Sequence, residues 1–241
     1  MPSISVIVPA YNEEKYLAKT LKTLRNQTFK DYELIVVDNN SKDRTNEIAR
    51  KLADRVVVEK KKGYHNATNR GAKEAKGKII AFCDADSLYP RDWLEKIMAD
   101  FENNKGLVAI YGGTKFHDSA SLLIFLSKIF YETIIRLSLL LGFHNPGGFN
   151  FVMKKSAYFK AGGYDSKIYN GASLDAELGR RLQKIGPLKF RPDIIVQTSS
   201  RRFRINGYFK TTLMFLIAWY TINFKKKPTV TYEQYNQIYR D

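Results

Sequence analysis

Short apolar runs alternate with amphipathic stretches through the first 115 residues. "ISVIVPAY" is a β-branched run ending at Pro9, and "EEKYLAKTLKTLRNQ" then places Leu17, Leu21 and Leu24 at helical spacing. "YELIVVDNN" predicts a second strand. "SKDRTNEIARKLA" predicts a helix with Ser41 as N-cap and Ile48 and Leu52 on one face. "RVVVE" predicts a third strand, followed by a short helix in "NATNRGAKEAKG" that stops at Gly77. "KIIAFCDAD" predicts a fourth strand, "PRDWLEKIMADFENN" a helix with Pro90 at its start, and "GLVAIYGG" a fifth strand. Continuously apolar strands that alternate with helices predict an α/β fold whose mostly parallel sheet is covered on both faces.

The second half changes pattern. Residues 119–143 form one long apolar helix candidate, in which Lys128, Glu132 and Arg136 fall at i, i+4 and i+8 as a single polar stripe. A Gly-rich "NPGGFNF" follows, then helix-like "KKSAYFKAGG" and "LDAELGRRLQKIG", and a terminal stretch mixing aromatics with Arg and Lys. No linker divides the halves, so these elements are expected to pack on the first half.

Composition narrows the class. A chain of 241 residues buries roughly 70–75% of its unfolded surface, enough for a core with a cleft. The net charge of +16, from 40 Lys+Arg against 24 Asp+Glu, points to an anionic partner. Cys83 is the single cysteine, which excludes an internal disulfide and fits a reducing compartment. The start lacks a basic n-region, so no signal peptide is expected. The longest late uncharged stretch, 211–224, has 14 residues, short of the roughly 20 that span a bilayer. His65, His117 and His144 are scattered, which argues against a zinc site.

Three predicted strands end in distinctive residues: Pro9-Ala10-Tyr11, Asp38-Asn39-Asn40 and Asp84-Ala85-Asp86. In a parallel sheet these ends share the edge where ligands bind. Two carboxylates one residue apart repel unless something neutralises them. A hard divalent ion, completed by phosphate oxygens, would do so. A cap for the helix after Pro90 is the plainer alternative.

Taken in order, "SVIVPAYNEE", "ELIVVDNNSKDRT", "NRGAKEAKGKIIAFCDADS", "GGY" and "LDAELGRRL" resemble the family 2 glycosyltransferases, over roughly residues 3–205. The resemblance implies a GT-A fold, a Rossmann-like sandwich, with a nucleotide half at about 1–115 and an acceptor half at about 116–205. Residues 206–241 would be a C-terminal amphipathic extension. It implies that Pro9, Ala10 and Tyr11 line the base and ribose pocket, that Glu13 and Ala85 belong to the donor site, and that Asp38 accepts from the nucleobase. Asn69 matches the family's Asn-x-Gly with Gly71, although Thr68 stands where many relatives have Arg. Asp84 and Asp86 match the metal-binding D-x-D, for Mn²⁺ or Mg²⁺, with Asp86 the direct ligand and Asp84 near the ribose. Asp175 matches the general base, although Leu174 replaces the usual Glu. Gly148 and Glu177 fall to the acceptor side. Arg201 and Arg202 would close over the diphosphate. Gln197 is present, but Ser200 breaks the processive Gln-x-x-Arg-Trp pattern.

The implied activity is an inverting, non-processive transfer from a nucleotide-diphospho-sugar, UDP first and GDP second, to a hydroxyl on a lipid-linked or cell-envelope glycan. The alternative readings of an anionic partner were a nucleic-acid-binding protein, which no helix-turn-helix or RNP pattern supports, and a nucleotidyltransferase on a related scaffold. The 119–143 helix serves a core, a homodimer or a membrane surface. With Trp219 and Lys225-Lys226-Lys227, aromatics beside basic residues favour a peripheral site on the cytoplasmic, anionic membrane face.

Overall fold

The structure is a computed structural model and describes residues 1–165 and 174–225. Seven strands are described: β1 (Ile4–Ala10), β2 (Tyr32–Asp38), β3 (Arg55–Val58), β4 (Ile79–Phe82), β5 (Ala109–Phe116), β6 (Phe151–Lys154) and β7 (Leu188–Thr198). They form one sheet in the order β3-β2-β1-β4-β6-β5-β7. Only β6 runs against its neighbours, β4 and β5.

The apolar runs are continuous because both sheet faces are buried. Along β1 and β2, Val6, Val8, Leu34 and Val36 point to a core formed with helices α1 (Leu17–Arg25), α2 (Thr45–Leu52) and, further on, Trp93, Ile97 and Phe101. The alternate positions Ile7, Ile35 and Val37 point to the opposite core, with Ala67 and Ala72 of α3 (Tyr64–Glu74). This is the two-residue period of a strand applied to a two-sided sheet. Gly71 lets α3 lie close on β1, since a Cβ there would come within 2.3 Å of the Ile7 methyl.

Two helix starts differ from the expectation. Helix α2 begins at Thr45, and Asp43 accepts from the Thr45 N–H at 3.0 Å. Ser41 instead accepts from the Asn12 N–H at 3.0 Å and so ties two loops together. Helix α4 (Trp93–Asn103) begins three residues beyond Pro90, whose carbonyl accepts from the Trp93 N–H at 3.1 Å. Asp84 and Asp86 therefore lie too far upstream to cap it.

The 119–143 helix is α5 (Ser121–Leu140), and Lys128 and Glu132 on its polar stripe approach to 3.8 Å. Helices α6 (Lys155–Lys160), α7 (Leu174–Gln183), α8 (Arg201–Asn206) and α9 (Tyr208–Tyr220) complete the described α-helices. Trp219 pins α9 to α5 by donating its Nε1–H to Ser138 Oγ at 2.7 Å. Among the described residues no helix is long and apolar enough to cross a membrane. Lys226, Lys227 and the remainder of the expected extension to residue 241 lie outside the described residues.

Strands β6 and β7 had no counterpart in the hydrophobic pattern. The first is four residues long. The second carries Arg191-Pro192-Asp193, and its pairing with β5 shifts register at Gly112/Gly113. Proline is confined to edges and irregularities of a sheet, and β7 is an edge strand.

Candidate functional site

The parallel register Ala10↔Asp38 brings the ends of β1 and β2 together, and β4 pairs with β1 on its other side. All three strand ends therefore meet at one sheet edge. A cavity of about 1030 Å³ opens there. It is lined by Pro9, Ala10, Tyr11 and Glu13 from the first strand end, and by Asp84, Ala85 and Asp86 from the fourth. Gly148, Asp175, Arg201 and Arg202 reach the same cavity from the second half.

Arg201 joins the halves. Its guanidinium meets Glu13 at 2.7 and 3.1 Å and Asp86 at 3.2 Å, and it lies 4.6 Å from the centre of the Tyr16 ring. Glu13 lies four residues ahead of α1, which starts at Leu17, in the loop after β1. His117 Nε2 sits 3.1 Å from the carbonyl oxygen of Asp86. The Asp84 N–H donates to Tyr89 Oη at 3.0 Å, and that hydroxyl donates to the Phe149 carbonyl at 3.0 Å. This chain fixes the β4 end against the Gly148 turn.

Asp175 lies in the first turn of α7. The Tyr164 hydroxyl donates to Asp175 Oδ1, and the Gly148 N–H bonds to the same carboxylate. A Cβ on Gly148 would fall 2.7 Å from Tyr64 Oη and 2.9 Å from Asp175 Oδ1, so any larger residue there would displace the Asp175 carboxylate or the Tyr64 hydroxyl.

Four carboxyl groups facing one cavity are pushed above the ordinary range. Burial raises Asp84 to about 8, with the charges of Asp86 and Asp175 adding to it. Burial also raises Asp86, against the opposing pull of Arg201, Arg202 and His117. It raises Asp175 against the hydrogen bonds from Tyr164 and Gly148, and Glu13 against Arg201. Such a cluster is costly in an otherwise basic chain and marks a functional site.

Three expected site residues do not line the cavity. Asp38 is buried, with Oδ1 accepting from the Ser41 N–H at 3.0 Å and Oδ2 from Asn46 Nδ2 at 2.8 Å. Asn69 donates to the Tyr164 carbonyl at 2.7 Å and accepts from the Tyr158 hydroxyl at 2.5 Å, so it holds the loop that presents Tyr164. Glu177 turns to Arg181, 2.6 Å away on the same helix. Thr68, where relatives carry Arg, is fully buried and donates to the Tyr64 carbonyl at 2.8 Å.

The structure adds residues that the motifs did not single out. Lys62 lies 5.1 Å from the centre of the Tyr11 ring and donates to its hydroxyl at 3.1 Å. Asn39 accepts from the Gly63 N–H at 2.7 Å and donates to the Glu59 and Lys61 carbonyls, each at 2.9 Å, which shapes the loop carrying Lys62. The doubled Asn after β2 was a signal for such a loop, since Asn40 takes a φ of 65°. Tyr164, in the "GGY" motif, had no role assigned to its hydroxyl.

Among the described residues no cluster of three side chains could hold a metal unaided. Asp84 and Asp86 fit a divalent ion whose remaining ligands are phosphate oxygens and water, because that arrangement needs only one or two protein carboxylates. Burial first, and the neighbouring charges of Asp86 and Asp175 second, hold Asp84 high, and a divalent ion at that point would favour its ionised form.

The profile of glycosyl transferase family 2 matches residues 5–160. A probable glycosyltransferase of Bacillus subtilis, YdaM, is 30% identical over 214 residues, covering 81% of this chain and 50% of its own length. A GalNAc(5)-diNAcBac-PP-undecaprenol beta-1,3-glucosyltransferase of Campylobacter jejuni is 34% identical over 119 residues, covering 46% of this chain and 38% of its own. The chain thus spans half or less of the length of these relatives. Among solved structures, the mannosyltransferase PcManGT of Pyrobaculum calidifontis, in complex with GDP-Man and Mn²⁺, superposes with a TM-score of 0.69 at 21% identity, over 88% of this chain and 64% of that one.

Proposed function

The chain belongs to glycosyl transferase family 2, and on that premise we propose that it transfers a sugar from a nucleoside diphosphate donor to an acceptor hydroxyl, with inversion. The donor is a UDP-sugar first and a GDP-sugar second, and the acceptor is a lipid-linked or cell-envelope glycan. One observation carries the reading: Asp84, Asp86 and Asp175 face a single cavity at the carboxyl edge of the parallel sheet, with Arg201 and Arg202 on its wall.

Each residue then has a physical task. Tyr11, Pro9 and Ala10 offer a surface for the base, and the buried Asp38 orders the loop beside it. Asp84 and Asp86 would hold Mn²⁺ or Mg²⁺, which when bound supplies positive charge to the diphosphate leaving group. Arg201 and Arg202 add charge-assisted donors on the same side. Asp175 accepts the proton of the attacking hydroxyl, and Tyr164 and Gly148 hold its carboxylate in place. The GDP-Man and Mn²⁺ bound by PcManGT, which shares the fold, and the undecaprenol-linked substrate in the Campylobacter relative's name support the donor and acceptor classes. The protein works at the cytoplasmic membrane face, held there peripherally.

Asp175→Asn is the test. It keeps the side-chain volume and loses the proton acceptor. Transfer falls about 10²-fold or more, while the thermal shift given by UDP or GDP with Mn²⁺ is unchanged. Near-normal turnover in the variant removes Asp175 from the mechanism, and a panel in which no nucleoside diphosphate shifts the melt overturns the donor class.

A further inference from the structure

The cavity does not end at the carboxylates. It continues as an arm between α5 and α9, walled by Leu126, Phe130 and Ile134 from one helix and Phe215 and Trp219 from the other. No charged residue of either helix lines it among the described residues, so Lys128, Glu132 and Arg136 of the polar stripe lie off that wall. Ser127 and Tyr131 of α5 and Tyr208 and Thr212 of α9 also line the cavity, but neither helix offers it a charged group. A diphosphate would therefore meet no counter-charge along these walls, and burying it there is costly. The arm is also kept from collapsing. Ser138 Oγ accepts from both Trp219 Nε1 and Asn145 Nδ2, at 2.7 and 2.8 Å, which fixes the spacing of the two helices by a polar clasp.

We propose that this arm binds a long hydrocarbon chain belonging to the acceptor. The inference rests on the reading of Asp175 as the proton acceptor, and it names the part of the substrate lying beyond the reacting hydroxyl. The occupant follows from continuity. Whatever fills the arm abuts Asp175 at one end, where the acceptor has to be, so an amphiphile with its polar end at the carboxylates fits both ends of the cavity. Lys115 and Arg202 line the cavity as well and suit a phosphate at the junction. The outer faces of the same helices expose Leu122, Phe125, Phe209 and Leu213, an apolar surface of the kind that meets lipid.

Trp219 reports on the arm directly. The chain has two tryptophans, and the other, Trp93, is fully buried in the opposite core. Terminally brominated butyl, octyl and dodecyl phosphates, titrated below their micelle concentrations into the full chain, quench Trp219 if the chain enters. Affinity rises about three- to fourfold per methylene buried. Phe130→Gln weakens the dodecyl probe about tenfold or more, and Leu126→Gln serves in its place if that variant melts early. Leu140→Gln changes an 84% exposed residue of α5 outside the arm and leaves the probe unaffected.

Quenching independent of chain length overturns the proposal. So does equal weakening by Leu140→Gln and Phe130→Gln, which means surface adsorption, and so does a dimer in sedimentation that excludes the probe. A UDP or GDP thermal shift retained in Phe130→Gln separates the two readings. Loss of nucleotide binding in every form, including wild type, sinks the transferase reading and leaves the chain-length result standing.

Discussion

Asp84 allows a test of whether the cavity holds a buried carboxyl against its own ionisation. Its carboxyl sits at about 8 in the folded chain against an ordinary 3.8, so the folded state holds the proton more tightly than the unfolded one. Stability from this group is complete below the lower value and is lost as pH climbs towards the upper. Asp84→Asn removes the titration and keeps the shape. The gap, about 8 less 3.8, corresponds to about 6 kcal/mol at 1.36 kcal/mol per pH unit. The carboxylate is part-exposed to the cavity, and solvent screening brings the figure to about 2–3 kcal/mol. At about 3 °C per kcal/mol for a chain of this size, the variant melts about 6–9 °C higher at about pH 8. At about pH 5 only the span from 3.8 to about 5 counts, and the same treatment leaves about 1 kcal/mol or less, or about 2 °C. Thermal melts of both proteins in chelator at the two pH values measure this. A gain that is equal at the two pH values, or no gain at about pH 8, refutes the reasoning.

Three further outcomes are expected. Asp86→Ala abolishes metal-dependent transfer without unfolding the chain, and full activity of that variant in chelator-treated buffer removes its metal role. Tyr164→Phe takes away a hydrogen bond that holds the Asp175 carboxyl down. The acidic limb of the pH–rate profile then moves to higher pH, whereas a merely structural loss lowers the rate without moving the limb. The exposed faces of α5 and α9, together with the basic charge, hold the protein on anionic vesicles at low salt, each nearby Lys or Arg contributing about 1 kcal/mol. Protein left in the supernatant under those conditions contradicts the peripheral placement.

The sheet edge was legible because its information is local. Pro9, Asp38 and Asp84 each stand at the end of an apolar run, and parallel pairing places such ends together without further instruction. The two-sided core followed from the same runs. Strand β6 was not legible: it is four residues long and inserts between β4 and β5, although α5 separates it from β5 in the chain. Strand β7 was hidden by Pro192 and its charged neighbours. Ser41 misled as a cap because Asp43, two residues later, satisfies the α2 terminus.

Which motif residues touch the cavity is a tertiary question. Asn69 and Asp38 sit in the expected motifs, yet their side chains hold the loops that carry Tyr164 and Ser41. The Arg201–Glu13 pair spans 188 residues, and the Arg201–Asp86 contact 115. No pattern of period two or 3.6 encodes contacts at such separations. They are nonetheless constrained by charge. A chain of net charge +16 gathers four carboxyl groups around one cavity and compensates them with Arg201 and Arg202. A fold under selection for stability alone would spread those carboxyl groups over its basic surface, where each would be solvated and paired. Their concentration at the strand ends breaks that local rule at the point where a ligand would restore neutrality, which is where function and stability are expected to part.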